Sequence, residues 1–207
     1  MDELGNLNRA LGEIGAIRRQ LAHSTEFRGY GAATLAATGG FAVLAAVAQA
    51  VWASDPAMHP VRYLAIWVVT AVVSAGLIAV QTVNRSRRLH SGLADEMLHM
   101  AVEQFLPAAG AGTLLTLVLA VAAPGVLWML PGLWQIVFSL GVFASCRFLP
   151  RPMPIAGAWY LLSGLVTILL GNPQALRPWA MGIAFGVGQT IVAAVLYFNA
   201  QEAGDEA

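Results

Sequence analysis

The chain has 207 residues, 58% of them apolar and only 11% charged, and eleven basic against eleven acidic side chains leave no formal net charge. A soluble globular protein carries roughly 25% charged residues, so a water-covered monomer is excluded. The balanced charge also gives no electrostatic reason to expect a nucleic-acid partner.

Residues 1–28 come first. They open on Asp2 and Glu3, whereas a secretory signal would begin with positive charge and pass quickly into a short apolar stretch. The first span is therefore expected to be retained as an anchor. Leu4, Leu7, Leu11, Ile14 and Leu21 recur at spacings of three and four, with Arg18 at the remaining heptad position. That pattern predicts a cytoplasmic amphipathic helix with one apolar stripe. It can lie on the inner leaflet with Arg18 and Arg19 near anionic lipid, pair with a second copy of the chain, or dock on the rest of the protein. Gly5, Gly12 and Gly15 within three heptads argue against a committed coiled coil.

Residues 29–201 contain five uncharged runs, over 29–54, 63–84, 104–146, 152–176 and 178–201. A helix needs about 20 mostly apolar residues to cross the hydrocarbon core. The run over 104–146 is long enough for two, and Pro124-Gly125 with Pro131-Gly132 marks the break between them. The prediction is an all-α polytopic bundle of six transmembrane helices near 33–53, 63–82, 107–123, 132–149, 154–171 and 180–199. No strict polar/apolar alternation supports a β-barrel.

Every basic residue is Arg. Nine of the eleven (Arg9, Arg18, Arg19, Arg28, Arg85, Arg87, Arg88, Arg147 and Arg151) fall on one side of the predicted topology, and only Arg62 and Arg177 fall on the other. The positive-inside bias puts both termini in the cytoplasm of a multi-pass inner-membrane protein. Trp52, Trp128, Trp134 and Trp179 then gather at the outer boundary, where amphipathic rings favour the headgroup layer.

Shifting the chain by 47 residues aligns 107–149 with 154–196 without a gap, and 11 of the 43 positions are identical, including Pro131/Pro178, Phe138/Phe185 and Gly141/Gly188. The expectation is a bundle of helical hairpins with an internal duplication. Gly39, Leu44 and Pro60 extend the pattern weakly to the first hairpin.

Lipid tails are as apolar as Leu, so helices meet in a bilayer through close packing and a few hydrogen bonds. Gly182-x-x-x-Gly186, Ala36-x-x-x-Gly40 and Gly141-x-x-x-Ser145 are the expected contact sites. Polar residues within the spans are few and uncharged. Gln189 falls near the middle of the last span, and Gln49, Gln81 and Gln135 fall nearer the ends. Gln189, Gln135, Ser139 and Thr167 are the candidates for lining a cavity. Gln189 has an equally ordinary role open to it, an interhelical hydrogen bond.

No Asp, Glu, Lys, Arg or His falls in a predicted hydrocarbon segment. Ion-coupled carriers usually hold an ionisable group at membrane depth, and intramembrane hydrolases need a base or metal ligands there. A bis-His haem site is also disfavoured, because His23, His59, His90 and His99 all lie at or outside the boundaries. Cys146 is alone, so no intramolecular disulfide can form.

The cytoplasmic loop over 84–104 carries a predicted helix over 91–105, with Ser91 as its cap and Asp95 and Glu96 in the first turn. Asp95, His99 and Glu103 share a face at four-residue spacing, and Glu96-x-x-His99 has the spacing of carboxylate-bridged di-iron bundles. These four are the candidate metal ligands, but such sites need a second copy of the pair and only one is present. A solvated helix face accounts for the same residues, and no cofactor is expected. Residues 202–207 read as a disordered acidic tail.

These features point away from an enzyme and toward passive, uncoupled permeation or small-molecule transport of a neutral or apolar species. The alternative is a membrane-embedded scaffold, sensor or accessory subunit. The expected partners are the lipid bilayer, a second copy of the chain, and a cytoplasmic protein held by the amphipathic segments.

Overall fold

The computed structural model describes residues 30–88 and 92–205, with side chains described for 31–81, 100 and 102–202. The amphipathic helix expected over 1–28 lies outside the described residues, as does Ser91. All regular structure among the described residues is helical. Six α-helices follow in order: α1 (Tyr30–Trp52), α2 (Pro60–Arg88), α3 (Gly92–Ala122), α4 (Leu130–Ser145), α5 (Pro154–Leu170) and α6 (Pro178–Asp205). Short 3-10 turns over Pro124–Met129, Cys146–Phe148 and Gln174–Leu176 join the later ones.

Five segments are long and apolar enough to cross a bilayer: Gly31–Trp52, Pro60–Gln81, Val102–Ala122, Pro124–Phe148 and Pro178–Glu202. This is the signature of a multi-pass helical membrane protein. The sixth helix, α5, has 17 residues. At 1.5 Å per residue it is about 26 Å long, a little under the roughly 30 Å of the hydrocarbon core.

Punctuation in the sequence sets most of these limits. Pro60, Pro154 and Pro178 each open a helix, and Pro131 stands in the first turn of α4, positions where the missing N–H would have had no intrahelical partner. Gly171 ends α5 at φ 68°, a left-handed value that glycine adopts without steric cost.

Two boundaries differ from expectation. The helix predicted over 91–105 and the span predicted over 107–123 are one continuous helix, α3, with Pro107 inside it. An interior proline removes one backbone hydrogen bond, but the apolar helix-forming residues on either side carry the helix through. The acidic tail expected to be disordered over 202–207 continues α6 as far as Asp205.

The helices pack in the spatial order α2–α1–α6–α5–α4–α3, with α1 against α6 and α4 against α5 as the most extensive pairs. Glycines make both contacts possible. A Cβ on Gly182 would stand 2.6 Å from the Ala46 Cβ, and one on Gly186 would stand 3.1 Å from Val43 Cγ2. Gly39 fits against the Gly186 carbonyl and the Gln189 Cβ. Between α4 and α5, Gly132 and Gly164 face each other so closely that a Cβ on either would come within 2.7 Å of the other's carbonyl oxygen. At the opposite end of that pair, Gly157 lies under the Phe143 ring, and Gly141 on α4 lies under Phe105 of α3.

The contact stripes run at alternating intervals of three and four. On α1 the stripe is Ala32, Leu35, Gly39, Ala42, Ala46 and Gln49, and on α6 it is Gly182, Gly186, Gln189, Ala193 and Leu196. This is the heptad phase of left-handed helix pairs. Gly40, expected at a packing site, is exposed with nothing within 4 Å of a Cβ built on it. The four-residue spacing of Ala36 and Gly40 identifies a small-residue row, but the phase of the whole stripe puts the neighbouring Gly39 at the interface.

Four of the six tryptophans lie at or near helix ends. Trp52 and Trp179 are exposed. Trp128 packs on the buried cluster around Tyr63 and Trp67, and Trp134 donates its indole N–H to Thr116 Oγ1 at 2.8 Å.

A paired substitution tests the phase of the α1–α6 contact. Gly182→Val is expected to destabilise the detergent-solubilised protein by about 1–3 kcal/mol, seen as a lowered thermal midpoint, while Gly40→Val leaves the midpoint unchanged. Equal losses would show that the contact does not follow this stripe.

Candidate functional site: a cleft between the outer helices

α2 and α3 stand at the two ends of the helix order and do not pack substantially on each other. Both are thinly covered by protein: 11% of the apolar window of α2 and none of that of α3 is buried. Between them lies a half-open cleft of about 800 Å³, floored by α1, α4 and α6, a volume within the usual range for small-molecule sites. Val68, Ala71 and Ile78 of α2 form one wall, and Phe105, Ala109 and Gly112 of α3 form the other. Leu35, Trp134, Phe138 and Phe185 form the floor. No charged side chain lines it among the described residues.

Most polar groups in the lining are already committed. Thr38, Thr70, Thr113 and Thr116 donate their hydroxyls to carbonyls three or four residues back in their own helices, at 2.7–2.9 Å, the ordinary way a hydroxyl is satisfied inside an apolar helix.

Gln189 is different. It lines the cleft, is only 9% exposed, and its Oε1 is sealed from solvent with no hydrogen-bond partner. Beside it stands the Tyr160 hydroxyl, also buried, close enough to the Gln189 side chain to interact with it although no bond of good geometry joins the two. An aromatic group fixes the tyrosine. Its ring lies 4.6 Å from that of Phe138 and 5.3 Å from that of Phe185, and its phenol sits directly against Gly188. Phe105 and Phe185 meet Phe138 edge-on at 5.0 and 5.4 Å, a favoured geometry for aromatic pairs.

The structure places the other sequence-derived candidates elsewhere. Gln135, Ser139 and Thr167 are buried but stand outside the wall of this cleft. Gln135 donates from Nε2 to the Ala180 carbonyl at 3.0 Å and accepts a long bond of 3.5 Å from the Thr167 hydroxyl, tying α4, α5 and α6 together. Ser139 donates to the Ile136 carbonyl. Gln135 and Thr167 thus join helices, whereas the Ser139 hydroxyl is satisfied within α4. Gly182, Gly186 and Gly141 stand at helix contacts, as described above.

Of the candidate metal ligands, Asp95, Glu96, His99 and Glu103 all fall on α3. The side chains of the first three lie outside the described residues, and Glu103 is exposed. Among the described residues, no three His, Cys, Asp or Glu side chains form a group that could hold a metal ion.

The sequence reading gave Gln49 no special role, yet it is fully buried and joins three elements. Its Nε2 donates to the Leu176 carbonyl at 2.7 Å, and its Oε1 accepts the Trp67 indole N–H at 2.8 Å. The available signal was the occurrence of Gln and Trp at facing ends of successive spans. Comparison with known protein families, curated proteins and solved structures finds no match to this chain.

Replacing Gln49 by Leu leaves the Trp67 indole N–H without its acceptor. The expected cost is about 1–2 kcal/mol, read by thermal unfolding in detergent. In a double-mutant cycle with Trp67→Phe, a coupling near zero would show that the bond contributes nothing.

Proposed function

We propose that this protein is an integral membrane protein that admits a neutral or apolar small molecule to its lateral cleft and lets it permeate passively, without coupling to protons or ions. The observation that carries the reading is the cleft itself: apolar, uncharged among the described residues, and lying between the two helices least covered by protein. A lipid-side opening suits a molecule that partitions into the bilayer before it binds. The uncharged walls suit an uncoupled path, since coupled carriers usually keep an ionisable group at this depth.

The proposal includes α5 as a sixth crossing. Gly132 meets Gly164 near one end of the α4–α5 pair and Phe143 meets Gly157 near the other, so α5 runs antiparallel along most of α4. Six crossings return the chain to the side on which it started, and the arginine distribution favours the cytoplasm of an inner membrane for that side. The duplicated-hairpin reading draws support from Pro131 and Pro178, each within the first turn of its helix, and from the contact between Phe138 and Phe185. It is weakened by Pro107, which lies inside α3 while Pro154 opens α5. The scaffold or accessory-subunit alternative rests on residues 1–28, outside the described residues. No catalytic role is proposed.

Filling the cleft tests the reading. In proteoliposomes, uncharged organic solutes are expected to show protein-dependent flux that a protonophore leaves unchanged. The pair Ala71→Phe and Ala109→Phe should suppress this flux, while Leu165→Phe, on the exposed face of α5, should not. Flux that depends on a proton gradient, or that persists with the cleft filled, would overturn the assignment.

A further inference from the structure

We infer that the ligand of the cleft is a lipid-like molecule with an uncharged oxygen headgroup, a hydroxyl or a carbonyl, that docks on the Gln189 amide. This rests on the reading of the cleft as a ligand site and names the chemistry of its occupant.

Gln189 is nine-tenths buried, stands in the cleft wall, and has an Oε1 with no partner. Leaving an amide unsatisfied in an apolar medium is costly, because no water replaces the missing bonds. The nearby threonine hydroxyls are occupied by their own helix carbonyls. The Tyr160 hydroxyl, which does not line the cleft, is buried within reach of the Gln189 amide.

The backbone holds this pair in place from both sides. Gly39 leaves room for the Gln189 side chain, since a Cβ there would stand 3.1 Å from the Gln189 Cβ, and Gly188 leaves room for the Tyr160 phenol. Oε1 is the sealed end of the amide and has the phenol beside it, so the N–H groups are the part of Gln189 left to the cleft. They call for an oxygen acceptor.

Charge narrows the class further. Among the described residues of the lining, a carboxylate or phosphate headgroup would meet no cation and an ammonium no carboxylate, so either would be desolvated there without compensation. The rest of the wall is aliphatic and aromatic and suits a hydrocarbon tail that leaves between α2 and α3 among the acyl chains.

The test uses four compounds of equal chain length, each brominated at the tail: an alcohol, a methyl ketone, an alkane and a carboxylic acid held in its charged form. Each is titrated into purified full-length protein in nanodiscs, and quenching of tryptophan fluorescence is measured, Trp67 and Trp134 both lining the cleft. The alcohol and the ketone are expected to bind about tenfold more tightly than the alkane, and the acid more weakly than the alcohol. Gln189→Leu should abolish this preference, so that alcohol, ketone and alkane bind alike, and Gln189→Met provides the same comparison in a side chain of closer shape. Equal binding of alcohol and alkane by the unsubstituted protein would overturn the headgroup assignment and leave the cleft as a site for apolar molecules. A preference that survives both substitutions would overturn it as well. Absence of saturable quenching by every compound would instead overturn the cleft as a ligand site.

Discussion

Inside a bilayer, helices gain nothing from escaping water, so two helices stay together only where their surfaces approach closely enough for dispersion and a few hydrogen bonds to exceed what lipid offers. In this protein that approach is made by backbone meeting backbone. Gly39, Gly182 and Gly186 bring α1 onto α6, and Gly132 with Gly164 brings α4 onto α5. Around these contacts stand the buried amides of Gln49 and Gln135, each bridging three elements. A larger residue at the close points would separate the helices and lengthen those bonds together.

The same constraint accounts for the cleft. The most extensive contacts are α1 with α6 and α4 with α5, whereas α2 and α3 each pack mainly on one neighbour and keep most of their surface uncovered. The helix order is an arc whose ends do not meet. The space between them takes its apolar character from the faces that α2 and α3 turn inward, and a buried amide from Gln189, beside the aromatic group of Phe138, Tyr160 and Phe185.

Position within a seam separates residues of like chemistry. Gln135 and Gln189 are both buried glutamines in apolar helices, and both are within reach of a neighbouring hydroxyl. Gln135 lies where α4, α5 and α6 converge, so a carbonyl is available to its amide. Gln189 lies at the edge of the α1–α6 stripe, beside the open space, and its oxygen has no hydrogen-bond partner. One serves cohesion, and the other is the group a ligand would meet.

The sequence by itself determined that the chain is helical and apolar enough for a membrane, because runs without charge longer than a bilayer crossing leave no other solvent. It also located the break at Pro124 and Pro131, since proline constrains its own backbone whatever surrounds it. The three-dimensional arrangement decided which face of each helix meets a neighbour, and so whether Gly39 or Gly40 carries a contact and whether Gln135, Ser139 and Thr167 face a seam or an opening. That choice depends on pairs of helices distant in the chain, such as α1 with α6. In a segment apolar all round, no alternation of polar and apolar residues marks the inner face beforehand.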